Sequence, residues 1–393
     1  MRAIVVGAGI GGLAATLSLR RAGHEVTLVE QTPRLTETGA GIQLAPNATR
    51  ELRRFGRLDE VAAQSARPAD VSFRTWSDGT EICRYALGRE AEDAFGAPYL
   101  QIHRADLQRA LAAAVPPGAV RLDTQVVGIG QDDASAWATT ADGERLVADL
   151  VVAADGIRSA ARQWLFGTDE AIFSRTAAYR ALLPAAEVAD LDLPDTGVWL
   201  GPGRHFVHYR VRRGELLNVV AVFTTEVAAQ ESWTARAEPG EQLREFEGWA
   251  APVLSVLERA GQVFRYGIHT RAPLARWNVG RVTLLGDSAH AMVPFQAQGA
   301  AQAILDAAVL GDSLADVTPD GVPEALERYV RRRLGTATGM QARSARAGEE
   351  FHLPDGPEAQ ARNARMAAYA AEHRFMPVAT AWAVDVLDDK EQT

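Results

Sequence analysis

The segment AIVVGAGIGGLAATLSLRRAGHEVTLVEQ, residues 3–31, determines how the rest of the chain can be interpreted. An apolar run opens it, glycines follow, and an alanine- and leucine-rich stretch extends to Gly23 before a second apolar run begins. Short apolar runs are typical of buried strands, and a glycine commonly closes a helix. The order predicts a strand, a glycine turn, a helix and a second strand, which together form a βαβ unit.

The glycine turn has the pattern Gly-x-Gly-x-x-Gly, formed by Gly7, Gly9 and Gly12. In such a turn the first glycine permits the tight bend, the second lets a pyrophosphate approach the backbone, and the third allows close helix packing. The free N–H groups of the helix N-terminus bind the phosphates. Glu30, ending the second strand, is placed to accept hydrogen bonds from a ribose diol. The pattern predicts dinucleotide binding. It leaves NAD, NADP and FAD open, and also a non-catalytic relative that keeps only the fold.

Two later segments repeat the order of apolar strand, turn and helix. DLVVAADGIRSAAR (149–162) turns at Asp155-Gly156, and GRVTLLGDSAHAMVP (280–294) turns at Gly286-Asp287. Because the three strands share the same continuous apolar character, we expect them to join one parallel sheet.

The intervening sequence has a different character. In VWLGPGRHFVHYRVRRGELLNVVAVF (198–223) two β-rich runs are joined by RRGE, which predicts antiparallel strands. The predicted fold is α/β (α+β): a Rossmann-like nucleotide-binding domain, an inserted and mainly antiparallel sheet domain, and C-terminal helices. The expected divisions are a discontinuous nucleotide-binding domain of residues 1–70, 100–170 and 267–320, a substrate-binding sheet domain of residues 71–99 and 171–266, and a helical segment of residues 321–393.

Composition limits the classes of function. The chain of 393 residues is 47% hydrophobic and 23% charged, as expected for an ordinary folded protein. Its net charge of -9 argues against nucleic-acid binding, and no run of about 18 apolar residues predicts a membrane span. The single cysteine, Cys83, can form neither an internal disulfide nor a cysteine-based metal site. We expect a cytoplasmic protein without a metal.

With these three motifs in this order, the chain resembles, along nearly its whole length, the single-component FAD-dependent aromatic hydroxylases. The resemblance implies FAD as cofactor, with the glycine motif around its ADP half. It implies that Asp155-Gly156 lies near the pyrophosphate and takes part in both FAD and NAD(P)H binding, and that Gly286-Asp287 contacts the ribityl chain. Because the sequence has no second Gly-x-Gly-x-x-Gly motif, NAD(P)H is expected to bind transiently as a co-substrate.

Further cofactor contacts follow from the same resemblance. Gly299 and Ala300 open a helix expected to face the pyrimidine edge of the flavin, and Pro294 turns the chain beside it. A helix N-terminus stabilises negative charge on a flavin, which supports this placement. Arg104 matches an arginine that reaches FAD phosphate and ribityl oxygens, and Arg34 is a second candidate.

Within the family, the stretches TETGAGIQLAPNATR (36–50), 198–223 and EEFHLPDGP (349–357) resemble the salicylate hydroxylase and 6-hydroxynicotinate 3-monooxygenase branch. This implies a small aromatic acid or phenol as substrate, hydroxylated with O₂ through a flavin C4a-hydroperoxide. The protein is expected to be a monomer or a homodimer. The alternatives are flavin-dependent oxidation of a heteroaromatic such as urate or hydroxynicotinate and, far less favoured, a non-enzymatic binding protein of the GDP-dissociation-inhibitor type.

Three residues are candidates for substrate binding and catalysis. A strand over residues 204–213 would place His205 and Tyr209 on one face, and this spacing resembles the hydroxynicotinate branch. Arg180 could bind a carboxylate through two hydrogen bonds. His290, just after a helix entry, is expected to have a packing or capping role instead.

The sequence also departs from the family pattern. Relatives often have glycine where Ala297 stands, glycine or asparagine at Ala301, and glutamate at Leu305. Some carboxylate-using relatives carry histidine directly after the motif's proline, where this chain has Phe295. A base at that position therefore cannot be transferred to this protein.

Overall fold

The computed structural model describes residues 1–35, 40–167, 170–227 and 235–388. Residues 36–39, which open the stretch TETGAGIQLAPNATR used above, lie outside the described residues.

The strands of the described residues are β1 Arg2–Val6, β2 Glu25–Val29, β3 Gly41–Leu44, β4 Asp70–Thr75, β5 Glu81–Ala86, β6 Leu100–His103, β7 Val120–Arg121, β8 Val126–Gln131, β9 Ala136–Thr140, β10 Arg145–Ala148, β11 Leu150–Ala153, β12 Ile172–Pro184, β13 Thr196–Gly201, β14 Arg204–Val211, β15 Leu216–Thr224, β16 Val263–Thr270, β17 Asn278–Val279 and β18 Val282–Leu284. The helices are α1 Ile10–Arg21, α2 Pro46–Arg54, α3 Leu58–Gln64, α4 Arg89–Phe95, α5 Arg104–Ala112, α6 Ala160–Phe166, α7 Glu241–Glu245, α8 Ala251–Arg259, α9 Asp287–His290, α10 Gly299–Leu314, α11 Val322–Phe351, α12 Pro357–Glu372 and α13 Thr380–Ala383.

A six-stranded sheet carries the three sequence motifs. Its order is β17-β18-β11-β1-β2-β7, with β1 parallel to β2 and β11, and β11 parallel to β18. The prediction that the three apolar strands join one parallel sheet is therefore confirmed. Helices α1 and α10 contribute to the core on one face, and the antiparallel sheet of β8, β9 and β10 packs on the other. Coverage of both faces explains why these strands are apolar throughout.

Small residues allow α1 and α10 to approach closely. A methyl group on Gly311 of α10 would lie 2.2 Å from Ser18 Oγ of α1. Most of α10 is buried, although the helix carries few large side chains. The alanine-rich sequence after residue 299 is thus explained by its position between the parallel sheet and the other helices.

A second sheet of seven strands has the order β16-β12-β15-β14-β13-β4-β5. Its pairs are antiparallel except for β13 with β4. One face, which we call the back face, is covered by α7 and α8 and includes Trp199, Phe206 and Phe246 in its core. The opposite face, the front face, includes His205 and Tyr209 and is directed towards the β3–β6 pair and the segment after β18. The predicted antiparallel character of this region is confirmed.

The predicted strand over residues 204–213 is wrong at its last two residues. Strand β14 ends at Val211, and Arg212 and Arg213 form a 3₁₀ turn in which both have positive φ, +50° and +58°. The chain must reverse there to pair β14 with β15. Arg212 instead donates a hydrogen bond to Asp106, with 3.0 Å between its Nε and Oδ2.

The C-terminal part is helical, as predicted. Helix α11 spans 30 residues, and α12 follows after a short connection. Met340 of α11 and Trp382 of α13 pack in one cluster with Phe73 and Tyr85 of the seven-stranded sheet. Among the helices of the described residues, none combines the length and the apolar character that crossing a bilayer requires.

Candidate active site

The glycines of the turn after β1 serve two different purposes: two are required by the packing of the fold, and one leaves open space. Gly7 has φ +97°, and a Cβ there would lie 2.5 Å from the carbonyl oxygen of Ala154; a Cβ on Gly12 would lie 1.8 Å from the carbonyl oxygen of Gly7. A Cβ on Gly9 would have nothing within 4 Å. The fold itself therefore excludes side chains at Gly7 and Gly12, whereas Gly9 keeps open the space in front of the α1 N-terminus.

Glu30 lies beside this turn. Its carboxylate accepts hydrogen bonds from the main-chain N–H of Ala8, at 2.8 Å, and of Thr32, at 2.9 Å. The acid is thus fixed at the carboxyl end of β2, where the sequence placed it. Arg34 is exposed at the same edge of the sheet, and its carbonyl oxygen accepts a hydrogen bond from the Thr32 hydroxyl.

The Asp155-Gly156 turn adjoins the start of α6. Burial raises the pKa of the Asp155 carboxyl, against hydrogen bonds from the α6 entry that lower it. Gly156 has φ +77° and open space where a Cβ would stand. Ser159 caps α6 by accepting a hydrogen bond from the main-chain N–H of Arg162, and the Arg162 guanidinium donates to the carbonyl oxygen of Ala289, at 3.0 Å. The second motif is therefore connected directly to the third.

The third motif turns at Gly286, whose φ of +66° and ψ of −138° suit glycine. A Cβ at Gly286 would lie 3.2 Å from Cβ of Ala303 on α10. Asp287 follows as the first residue of α9 and is exposed, although its neighbours Leu285 and Ser288 are buried. The turn thus presents one carboxylate beyond the sheet edge.

A buried carboxylate, Asp306 of α10, fixes this turn. Its Oδ2 accepts hydrogen bonds from the Gly286 main-chain N–H, at 3.0 Å, and lies 2.6 Å from His290 Nε2. Its Oδ1 accepts from Arg333 Nε at 2.8 Å, and Arg333 also donates to Gln302. Burial alone would raise the pKa of the Asp306 carboxyl, but the charges and hydrogen bonds of His290 and Arg333 lower it to about 2. The carboxylate is therefore ionised at neutral pH and links α9, α10 and α11.

The segment between α9 and α10 forms the mouth of the candidate site. Pro294–Gln296 form a 3₁₀ turn, and Ala297 adopts the left-handed conformation with φ +52°, which glycine would adopt with less strain. Gln298 is buried and accepts a hydrogen bond from the Asn47 amide at 3.2 Å. A Cβ at Gly299 would have nothing within 4 Å. The N-terminus of α10, with Gly299 and Ala300, therefore begins at open space, where its N–H groups favour electronegative atoms.

The front face of the seven-stranded sheet has a polar group of residues around Tyr209. The Tyr209 ring packs so closely on the β3 backbone that a Cβ at Gly41 would lie 2.6 Å from Tyr209 Cε2. Asn218 accepts a hydrogen bond from the Gly41 main-chain N–H at 2.7 Å, and the Tyr99 hydroxyl donates to Gln43. Burial raises the pKa of both tyrosines well above the ordinary value, so both are neutral hydrogen-bonding groups.

Arg180 is buried on the same face, in β12. Its guanidinium lies 5.4 Å from the ring centre of Tyr266, and burial lowers its pKa. The guanidinium interacts electrostatically with the side chains of Tyr209 and Arg104, so these side chains share one region. Arg104 begins α5, is half-buried and donates its main-chain N–H to the carbonyl oxygen of Ala40 at 2.8 Å.

His205 lies at the other end of the front face. Its Nδ1 is 2.7 Å from Nε2 of His352, and the rings of Phe295 and Phe351 stand edge-on to it at 5.1 and 5.6 Å. Burial lowers the pKa of both histidines. The face shared by His205 and Tyr209 is as predicted, but the two side chains contact different partners.

The fold also brings to this region several residues that no sequence pattern predicted. They are Gln43, Tyr99, Asn218, Tyr266 and His352. His352 stood in the FHLPDGP stretch that carried part of the family resemblance, and Tyr99 shortly precedes Arg104. These were the available signals. His290 has the structural role expected of it, and Leu305 packs in the core.

Comparison with known proteins agrees with this geometry. A family model described as an FAD binding domain matches residues 1–344. The chain belongs to this family of FAD-binding proteins. FAD is its cofactor, and the open spaces over Gly9, Gly156 and Gly299 fit a long dinucleotide.

Individual relatives specify the reaction. A 3-amino-4-hydroxybenzoate 2-monooxygenase from Streptomyces platensis is 39% identical and is aligned over 93% of this chain and 92% of its own. A 6-hydroxynicotinate 3-monooxygenase from Bordetella bronchiseptica is 35% identical over 79% of this chain and 81% of its own. The solved substrate complex of a salicylate hydroxylase is 27% identical, covers 98% of this chain and 96% of its own, and superposes with a TM-score of 0.84. The protein is an FAD-dependent aromatic monooxygenase, with the NAD(P)H requirement typical of the family.

The glycine turn gives a first test. Gly12→Ala is expected to lower the unfolding temperature, because the methyl group would overlap the Gly7 carbonyl, and such overpacking costs about 1–3 kcal/mol or more. Gly9→Ala is expected to leave the unfolding temperature of the flavin-free protein unchanged and to weaken FAD binding at least about tenfold. Thermal unfolding and FAD titration of the same samples separate the two effects. Wild-type FAD affinity in Gly9→Ala would contradict the assignment.

The buried carboxylate gives a second test. Asp306→Asn leaves Arg333 without its charged partner, and breaking such a buried pair costs about 3–5 kcal/mol of unfolding free energy, measured in urea at pH 7. Because the folded-state pKa is lowered from 3.8 to about 2, this carboxyl stabilises the wild type fully above pH 4. That contribution is lost as the pH falls towards 2. The variant is expected to lack this part of the acid dependence.

The matched control is Asp312→Asn. Asp312 also joins α10 to α11, through Arg332 at 2.7 Å, but both side chains are partly exposed, at 24% and 19%. Such a pair contributes at most about 1 kcal/mol. Equal losses of unfolding free energy in the two variants would contradict a larger stabilising contribution from the Asp306 contacts.

Proposed function

We propose that the protein hydroxylates a small aromatic acid that carries a ring hydroxyl, of the hydroxybenzoate or hydroxynicotinate class, using FAD, NAD(P)H and O₂. The observation that carries this proposal is the pattern of the front face. A buried cation and tyrosines lie towards one end, a histidine pair lies at the other, and aliphatic side chains lie between them.

The aliphatic part suits an aromatic ring. Val207 pairs with Val220, and Val220 in turn pairs with Arg180; the neighbouring row contains His205, Val222 and Ala178. Val222, Val220 and Phe295 belong to one apolar cluster. An aromatic substrate on this surface would exclude water from the ring that reacts.

The distance across the face fits one ring. His205 and Arg180 stand two strands and one row apart, so their Cα atoms are about 12 Å from each other for strands about 4.8 Å apart that rise about 3.3 Å per residue. The Arg180 guanidinium, near the Tyr266 ring, can bind a carboxylate through two charge-assisted hydrogen bonds. His205 then faces the ring hydroxyl. The neighbouring Tyr209 adds a neutral hydrogen-bond donor or acceptor at the acid end.

His205 is suited to receive the hydroxyl proton. Burial lowers its pKa below the ordinary value, so at neutral pH its ring is uncharged and one nitrogen can act as an acceptor. A phenol that loses its proton is a better nucleophile towards an electrophilic oxygen, and a positioned base assists this step. Bound FAD would supply the redox chemistry, in which two electrons come from NAD(P)H, one oxygen atom of O₂ goes to the ring and the other leaves as water. The chain's residues orient the ring, remove its proton and exclude water.

We also propose how the chain holds FAD. The glycine turn and Glu30 face the ADP half, the Asp155 and Gly286 turns face the pyrophosphate and ribityl chain, and α10 faces the flavin ring. The residues assigned to FAD are Gly7, Gly9, Gly12, Glu30, Arg34, Arg104, Asp155, Gly156, Gly286, Asp287, Pro294, Gly299 and Ala300. The exposure of Asp287 beside a buried turn supports its contact with the ribityl hydroxyls.

The domain division is part of this proposal. Residues 1–70, 100–170 and 267–320 would form the discontinuous FAD-binding domain, residues 71–99 and 171–266 the substrate-binding sheet domain, and residues 321–393 a C-terminal helical segment. We further propose a cytoplasmic enzyme that is a monomer or homodimer. The free thiol of Cys83, which is buried and has its pKa raised by burial, supports a reducing compartment.

The substrate class is tested by NAD(P)H oxidation in the presence of 3-amino-4-hydroxybenzoate, 3-hydroxybenzoate, salicylate, 6-hydroxynicotinate and urate. A hydroxybenzoate or hydroxynicotinate is expected to stimulate oxidation and to yield a product that contains one atom from ¹⁸O₂. Stimulation by urate alone would contradict the proposal.

The variant Arg180→Gln tests which end of the front face binds the substrate carboxylate. Arg180→Gln is expected to lower kcat/KM about 100-fold for the best acid and to have little effect on the matching carboxamide, because the lost interaction is with the carboxylate. Arg210→Gln is the matched control, since Arg210 alternates to the back face of β14. Equal loss for the acid and the carboxamide would contradict carboxylate binding by Arg180.

A further inference from the structure

The contact between His205 and His352 joins two distant parts of the chain. His205 lies in β14, and His352 directly follows α11, with 2.7 Å between Nδ1 of the first and Nε2 of the second. The main-chain N–H of Gly203 donates to the carbonyl oxygen of His352 at 3.0 Å. The main-chain N–H of His352 donates to the carbonyl oxygen of Gly348 at 3.2 Å. These main-chain hydrogen bonds fix the backbone of His352 beside β14 and the end of α11.

Phe295, in the segment between α9 and α10, packs against this contact. Its ring packs on the α11 backbone so closely that a Cβ at Gly348 would lie 2.5 Å from Phe295 Cε2. The same ring stands 5.1 Å from His205 and 5.8 Å from His352, both nearly edge-on. A hydrocarbon wall therefore flanks both histidines and keeps water from the short N···N contact.

Two nitrogens at this separation must share one hydrogen, because two N–H groups cannot face each other. If Nδ1 of His205 carries the hydrogen, its Nε2 has a free lone pair and can accept a proton. If Nε2 of His352 carries it, Nε2 of His205 becomes a donor. The tautomer of His205 is therefore determined by His352.

The difference in solvent exposure between the two histidines indicates the direction in which a proton would move, from His205 to His352. His205 is 3% exposed, whereas His352 is only partly buried. On the neighbouring strands, His205 is paired with two aliphatic residues, Val222 and Leu200. Charged residues lie close to His352 in the chain: the Asp355 carboxylate accepts a hydrogen bond from the Trp76 indole, and Arg362 donates to the carbonyl oxygens of Glu350 and Phe351.

We propose that His205 and His352 form a proton relay that carries the ring-hydroxyl proton of the substrate from the buried front face to the protein surface. This inference rests on the proposed function. In the relay, the substrate O–H bond breaks and a bond forms between that proton and His205 Nε2. The Nδ1–H bond of His205 breaks as His352 Nε2 accepts its proton. His352 then releases its Nδ1 proton to water, so both rings end neutral and the substrate ends as a phenolate. His205 acts as the catalytic base and His352 as its positioning residue.

The shared hydrogen can be observed without turnover. In the holoenzyme labelled with ¹⁵N-histidine, the relay requires each of the two rings to show one protonated and one unprotonated nitrogen from pH 6 to 8, and a coupling across the N–H···N contact. Neutral rings over this range follow from burial, which lowers the pKa of His205 and lowers that of His352 to about 4. Two rings that titrate independently near pH 6.5 would overturn the proposal.

Variants test the relay in catalysis. His352→Gln retains a side-chain amide near His205 but cannot both accept and release a proton. It is expected to keep its FAD and its substrate Kd within about twofold, while kcat at pH 7 falls at least about tenfold, which is part of the roughly 10²–10⁴-fold that general-base catalysis contributes, because His205 itself remains. The rate is expected to recover as the pH rises towards the pKa of the substrate phenol. His373→Gln is the control, because His373 is exposed and stacks on Tyr369 away from the pair.

The outcomes separate the relay from the proposed function. If the wild type hydroxylates a phenolic acid but His352→Gln keeps the wild-type kcat and pH profile, the relay is wrong and the function stands. A parallel loss of FAD or substrate binding in His352→Gln would also overturn it, since His352 would then be structural. If no phenolic acid is hydroxylated by the wild type, the proposed function fails, and the NMR result still decides whether the hydrogen is shared.

Discussion

The carboxylate of Asp306 is the interaction on which the site depends. It lies in the middle of α10, fully buried, and binds the Gly286 turn on one side and Arg333 of α11 on the other. An isolated buried carboxylate is unfavourable, so it requires these partners, and their positions are thereby fixed relative to one another. This one group therefore connects the elements that carry the exposed Asp287, the open start of α10 and the end of α11, which His352 directly follows.

The seven-stranded sheet supplies the other half of the site. Its back face is closed by α7 and α8, so the front face is free to contact the nucleotide-binding part of the chain. Alternation along β14 assigns Phe206 to the back-face core and His205 and Tyr209 to the front. The residues proposed for catalysis and the residues of the sheet core therefore lie on opposite sides of one strand, so a front-face substitution need not disturb the core.

The features that could be predicted from the sequence are those in which a local pattern has a local physical cause. The βαβ unit, the glycine positions and the alternation in β14 depend on steric rules over a few residues, and the structure agrees with them. Strand β14 was predicted two residues too long because tertiary pairing determines where Arg212 leaves the strand. The contacts of Asp306 with Arg333 and of His205 with His352 join residues 27 and 147 positions apart. No periodicity encodes such contacts, so the structure was needed to find them.

The most direct test is a crystal structure of the enzyme with FAD and a hydroxylated aromatic acid. We expect the flavin ring at the N-terminus of α10, the Asp287 carboxylate within hydrogen-bonding distance of a ribityl hydroxyl, and the substrate ring on the aliphatic part of the front face. In that position its hydroxyl would face His205 and its carboxylate would face Arg180. A flavin ring distant from α10, or a substrate bound away from this face, would contradict the proposed site.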